Sequence, residues 1–242
     1  QLGNGSTLAS DVPVDVSGLT SNITRVAASL EFACARTAAG GVMCWGANDA
    51  GQLGSGTTTG SPSPVGVVGL QSNVTAVATG DRHACALTTT GGVKCWGENV
   101  NGQLGNGSTT RSLVPVDVVG LSSVVRIAAG FRHTCAVKSS GAIVCWGDNS
   151  VGQLGHGTLV GSAIPVTVSG ITQAVAVVLG GDHSCSLTSF GGGVKCWGNN
   201  SSGQLGLGDI ATRGDGPGEM GDSLLAVSLG TGRTATDVAL GQ

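Results

Sequence analysis

The chain has no tyrosine, two methionines, 3% aromatic residues and only 10% charged residues. Each scarcity removes a class of protein. So few aromatic rings leave little for a sugar-stacking platform. Eleven Lys and Arg are scattered among 14 Asp and Glu, for a net charge of −3, so the basic stripe of a nucleic-acid binder is missing. No apolar run approaches the length of about eighteen residues that a spanning helix needs, and no helical period is visible. The polar opening Gln1-Leu2-Gly3-Asn4-Gly5 holds no signal peptide, as expected of either a mature secreted protein or a fragment.

Glycine is in excess, 44 of 242 residues, without a Gly-X-Y period, and 40% of the chain is apolar. That combination excludes collagen and disorder and predicts short strands joined by tight turns. Self-similarity fixes the arrangement. Gly-Gln-Leu-Gly starts at Gly51, Gly102, Gly152 and Gly203, and Gln1, Gln52, Gln103, Gln153 and Gln204 stand 51, 51, 50 and 51 residues apart. Cys-Trp-Gly recurs at 44–46, 95–97, 145–147 and 196–198, each followed by Asn48, Asn99, Asn149 or Asn200. The chain is therefore a single array of repeats, approximately 1–51, 52–102, 103–152, 153–203 and an incomplete, divergent 204–242.

Each repeat reads as four short strands. In the second they are 64–68, 74–78, 83–88 and 93–96, with Pro64 at the start, where its missing N–H costs least. Pro13, Pro115 and Pro165 hold the same place. Four strands in about fifty residues is the size of one propeller blade, and a blade buries its faces only against neighbours. The fold expected is all-β, with blades of four antiparallel strands, four complete and a fifth partial.

Eight cysteines form four pairs: Cys34/Cys44, Cys85/Cys95, Cys135/Cys145 and Cys185/Cys196. If each pair lies face to face in a hairpin, Leu87 faces Val93 and His83 faces Gly97 in the same register. The fourth repeat keeps it despite one extra glycine at 191–193. Such residues stand about 4.5 Å apart at Cα, within reach of a disulfide. Disulfides compete with buried thiols and with metal ligation. Zinc prefers shorter Cys spacing and four ligands, so the spacing favours disulfides, and with them an extracellular, cell-surface or periplasmic setting.

His83, His133 and His183 recur opposite Gly97, Gly147 and Gly198, which predicts a structural ring bonding a backbone carbonyl. Trp45, Trp96, Trp146 and Trp197 alternate out of phase with the cysteines and are expected to pack against the next blade. His156 is read as a solvent-facing turn residue. Asp209, Asp215, Glu219 and Asp222 form an acidic loop with no calcium-loop spacing, and Arg213-Gly214-Asp215 is an isolated tripeptide. Sequons occur at Asn4, Asn22, Asn73, Asn106 and Asn200. The double glycines 40–41 and 91–92 are hairpin turns, not phosphate cradles. No nucleophile–base set breaks the repeat symmetry, so no enzyme, cofactor or metal site is expected.

The frame from Ala78 to Gly105, with His83, Cys85, Cys95-Trp96-Gly97, Asn99 and Gly102-Gln103-Leu104-Gly105, closely resembles the regulator of chromosome condensation repeat. Kelch repeats match its length but lack Gly-Gln-Leu-Gly. The resemblance implies blades of a seven-bladed propeller whose loops bind other proteins, and the paired cysteines suggest a secreted, bacterial-type variant. The chain departs from the family in its repeat number, in Phe32 and Arg36, and over 207–236. There the proline-bearing strand is missing and 224–227 is expected to stand in. A protein-binding scaffold using loops 55–62, 106–113, 156–163 and 207–222 is the leading expectation. A filament or ring built from copies of the chain, and a guanine-nucleotide exchange factor like the family's founding member, are the rivals. The partner is a protein or another copy, with no nucleic acid and no membrane insertion.

Overall fold

The computed structural model describes residues 1–189 and 193–241. Short runs rich in Val, Ile, Ala and Thr, punctuated by glycine turns, form four antiparallel sheets in sequence order. The first contains β1 (Ile23–Ala28), β2 (Phe32–Thr37), β3 (Val42–Gly46) and β4 (Ser61–Gly66). The second contains β5 (Val74–Thr79), β6 (His83–Thr88), β7 (Val93–Gly97) and β8 (Ser112–Asp117). The third holds β9 (Val124–Ala129), β10 (His133–Lys138), β11 (Ile143–Gly147) and β12 (Ser162–Thr167). The fourth has three strands: β13 (Ala174–Leu179), β14 (His183–Thr188) and β15 (Val194–Gly198). Within each sheet the strands pair in chain order. Each is a blade of a β-propeller.

The sheets are phased differently from the expected repeat. The proline-bearing segment does not open a blade; it is the outer strand of the preceding one, so β4 pairs with β3 and not with β5. It also starts earlier, at Ser61, and its ladder slips between Val65 (opposite Cys44) and Ser61 (opposite Gly46). Pro62 and Pro64 fall in that irregularity on an edge strand, where no ladder N–H is required. Periodicity reveals the length of a repeat but not where a sheet begins. Residues 10–15, the counterpart of β4, form no strand.

The stand-in expected at 224–227 is also absent as a strand. The fourth sheet keeps only an isolated bridge between Gly198 and Arg213 at its outer edge. A single 3-10 turn, Gly221–Ser223, follows. Val227 still donates its N–H to the Val194 carbonyl at 2.8 Å, as Val168 does to Ile143 at 3.0 Å. This bond and the Gly198–Arg213 bridge, which matches Gly147 opposite Ser162, keep part of the usual pattern despite the altered sequence.

All four cysteine pairs are disulfides between directly opposed residues of the second and third strands, with Cα atoms 4.1 Å apart. No free cysteine remains. In the fourth sheet His183, Cys185 and Leu187 oppose Gly198, Cys196 and Val194. The turn residues 191–192, where the extra glycine falls, lie outside the described residues.

Neighbouring sheets stack through their first and second strands: β5 packs on β1 and β2, β9 on β5 and β6, and β13 on β9 and β10. Apolar clusters therefore lie between sheets. Trp96 covers Cys34, Cys44 and Leu53; Trp146 covers Cys85, Cys95 and Leu104; Trp197 covers Cys135, Cys145 and Leu154. The tryptophans thus pack on the preceding blade, the reverse of the direction expected.

Candidate functional site

The repeated motif residues converge on one carbonyl per repeat. The indole N–H of Trp96 donates to the Gln52 carbonyl at 2.8 Å, Trp146 to Gln103 at 2.8 Å and Trp197 to Gln153 at 3.0 Å. Trp45 reaches the Gln1 carbonyl in the same way at 2.8 Å. A buried indole N–H needs such a partner, and for Trp96, Trp146 and Trp197 the partner lies in the loop before the outer strand of the preceding blade.

The histidines join this network, correcting the backbone-carbonyl bond expected of them. His83 Nε2 lies 2.8 Å from Thr134 Oγ1, and His133 Nε2 lies 3.0 Å from Ser184 Oγ. Each hydroxyl gives its single hydrogen to a glutamine carbonyl, Thr134 to Gln103 at 3.0 Å and Ser184 to Gln153 at 2.9 Å. The imidazole must therefore donate from Nε2, which leaves Nδ1 as a bare acceptor. That nitrogen is buried and unpartnered in both rings. Burial pushes the His83 imidazole down to about 4. Burial, reinforced by the neighbouring His83 and His183, pushes His133 down to about 3. Burial between blades thus keeps these rings neutral while Nε2 donates across the boundary. Gly80 and Gly130 lie directly against these rings, where a Cβ would collide with the imidazole.

Each Asn after Trp-Gly ties down the loop that follows. Asn149 Oδ1 accepts the Leu154 N–H at 2.8 Å, while Nδ2 donates to the carbonyls of Thr158 at 2.6 Å and Val160 at 3.1 Å. Asn48, Asn99 and Asn200 make the same three bonds in their own loops. His156 is half-buried beside this clamp, 3.3 Å from Asn149 Nδ2, and not the solvent-facing residue expected. Beyond the clamps the loop tips are exposed and of two kinds, polar at Thr58 and Thr109 and aliphatic at Leu159 and Ile210. Val160 and Ile210 are each 71% exposed and Leu8 78%, among the most exposed aliphatic side chains of the molecule.

Charged side chains gather at this end of the sheets. Arg82, in the turn between β5 and β6, pairs with Asp49 and approaches Glu98 at 4.0 Å. Arg111 donates to the Asp49 carbonyl at 3.2 Å. Burial raises the Asp49 carboxyl, but the Gln52 amide and the Arg82 guanidinium outweigh it and hold the group below its ordinary value. Burial and nearby Asp148 push Asp182 upward, against the pull of Arg132.

The irregular segment is internally paired. Arg213 binds Asp209 at 2.7 Å, and Glu219 Oε2 accepts the N–H groups of Gly214 at 3.0 Å and Gly216 at 2.9 Å. Gly214 is buried, so Arg213-Gly214-Asp215 is not an exposed recognition loop. Asp222 stands exposed in the 3-10 turn. Among the described residues no group of three His, Cys, Asp or Glu is placed to hold a metal. The sequons divide: Asn22 and Asn73 are exposed at turn positions, whereas Asn200 is buried in its loop clamp.

Stacked antiparallel blades, three of four strands and one of three, with a tryptophan of each bonded to the glutamine carbonyl before it, define a repeat-built β-propeller protein. Two sequence models of the Regulator of chromosome condensation (RCC1) repeat match the chain, one over 23–52, 74–103, 124–153 and 174–204, the other over 39–87, 90–137 and 140–187. The chain belongs to the RCC1 repeat family. Human E3 ubiquitin-protein ligase HERC2 is 38% identical over 111 residues, 45% of this chain and 2% of that protein. The Arabidopsis thaliana ultraviolet-B receptor UVR8 is 36% identical over 118 residues, 48% of this chain and 27% of the receptor. The chain thus spans about a quarter or less of the curated relatives it matches. Among solved structures, human WBSCR16 superposes with a TM-score of 0.83 at 23% identity, over 99% of this chain and 63% of that one. Saccharomyces cerevisiae Prp20p superposes at 0.71 with 22% identity, over 86% of this chain and 51% of its own. The ectodomain of the Arabidopsis receptor kinase ACR4 superposes at 0.51 with 19% identity, over 93% and 59%.

Proposed function

We propose that the chain is a non-enzymatic protein-binding module working in an oxidising, extracellular or cell-surface setting. The observation that carries this reading is the division of labour within each repeat. Disulfide, Trp–Gln bond and Asn clamp hold the frame, and the loop tips are left free to differ. Rigid scaffolds with variable loops commonly place recognition there. Four buried disulfides are the chemistry of a non-reducing compartment. The receptor-kinase ectodomain of similar fold is consistent with that setting. A nucleotide-exchange role, the rival implied by the repeat resemblance, fits the disulfides poorly.

Two measurements test the reading. Intact mass of the unreduced protein is expected about 8 Da below the reduced value, from two hydrogens lost per disulfide. Eight thiols alkylated without reduction would remove the argument for the compartment. Affinity capture from the extracellular milieu is then compared between the native chain and a variant carrying Leu159→Asp, Val160→Asp and Ile210→Asp. Binding by the native chain that the variant loses, with the thermal midpoint unchanged, supports loop recognition. Capture of the same proteins by both sinks it.

A further inference from the structure

Every described interface between consecutive sheets is closed by the later sheet in the same way. A tryptophan covers the earlier disulfide and gives its N–H to a glutamine carbonyl. At the second and third interfaces a hydroxyl also sits between that carbonyl and a histidine. The fourth sheet presents the earlier half of such an interface. Its cluster of Cys185, Leu187, Val194, Cys196 and Leu205 contains no tryptophan. Among the described residues the His183 ring makes no hydrogen bond and the Gln204 carbonyl receives none, although His183 stands opposite Gly198 in the usual register. Val227, Val238 and Leu240 cover part of the face and leave a cleft of about 370 Å³ that reaches Cys185, Cys196 and Gln204. The Gly241 carbonyl stands over Gly180 as the Gly180 carbonyl stands over Gly130. The last residues therefore hold an inner-strand position, and the cleft lies where a second and third strand stand at the other interfaces.

We propose that this face docks a β-hairpin of the same repeat type in which Ser or Thr stands directly opposite Trp. Thr134 opposes Trp146 in this way, and Ser184 opposes Trp197. The hydroxyl bridges His183 and Gln204, and the indole fills the cleft over the Cys185–Cys196 disulfide while bonding the same carbonyl. A second copy of this chain does not fit. The uncovered face of its first sheet offers Ala33 opposite Trp45, and that indole is already bonded to the Gln1 carbonyl. His183 would meet a methyl group, whereas the alanine at this position in the second sheet, Ala84, lies against Phe32. The proposal goes beyond loop recognition and stands without it.

An oxidised peptide copying residues 130–147 tests this when titrated onto the full chain by calorimetry. Saturable one-to-one binding is expected, weakened about five- to tenfold by Thr134→Val in the peptide, the loss of one hydrogen bond with its partner left buried. In the His183→Phe chain the two peptides should bind alike. Because short hairpins are poorly structured alone, the same hairpin is also fused behind Gln242. There the Thr form should raise the thermal midpoint above that of the Val form, and His183→Phe should remove the difference. Equal binding of Thr and Val peptides to the native chain overturns the proposal. So does neither binding in trans nor stabilisation by fusion, or concentration-dependent self-association of the native chain through this face.

Discussion

The first interface between sheets is apolar where the second and third are polar. At the first, the Phe32 ring packs with Ala84. At the other two, an imidazole bonds a hydroxyl, His83 to Thr134 and His133 to Ser184. Backbone, disulfide and Trp–Gln bond are the same at all three. The position thus tolerates two solutions, but only as matched pairs across the boundary. A ring that donates needs an oxygen opposite, and a ring that does not leaves room for a methyl. Leaving a buried donor unmatched costs more than replacing both members.

Acid should separate the two solutions most widely. His83 and His133 bind protons more readily unfolded, at about 6.5, than folded, at about 4 and about 3. Their contribution is therefore complete above pH 6.5. It falls as pH drops through that value towards the folded ones, by about 1.4 kcal/mol per pH unit for each ring. Urea midpoints between pH 7 and 5 should show this slope. The double variant His83→Phe/Thr134→Ala, which copies the first interface onto the second, should lose about half of it. An unchanged slope in that variant would break the comparison.

At neutral pH the matched-pair rule itself can be measured. Thr134→Val alone should cost about 2 kcal/mol, because the His83 N–H is left buried without an acceptor. The double variant should fall within about 1.5 kcal/mol of the native chain, as volume-conserving core swaps usually do. Denaturant midpoints decide it. If single and double variants are equally unstable, the pairs do not act as units. The smallest effect belongs to the rim. Arg82→Ala, breaking the Asp49 pair, should change stability by no more than about 1 kcal/mol at low salt, and less at high salt.

The sequence carried the fold further than the site. Four pairs of cysteines in hairpin register announced sheets and disulfides, because opposed residues in a ribbon keep fixed spacing. The phase of the blades was hidden. Pro64 looks like a beginning in one dimension, and only its pairing with β3 makes it an ending. The Trp–Gln bond was unreadable for a related reason, since its acceptor is a backbone carbonyl about 44 residues earlier. One signal was available for the histidines. Ala33, Ala84, Thr134 and Ser184 occupy one position, and the hydroxyl appears in each sheet that follows a histidine. Reading residues across consecutive repeats, not within one, would have found the pairing.

The Asn clamps have a practical consequence. Each anchors its loop through three backbone bonds, and one polar side chain of the loop (Ser55, Asn106, His156 or Asp209) also meets the same asparagine, so the residues at the very tip, Thr58, Thr109, Leu159 and Ile210, stand outside the clamp. The segment between clamp and outer strand behaves as an exchangeable cassette. A tip cut from one repeat should seat in another with its entry and exit already aligned, and new sequences can be tried there without retuning the blade beneath.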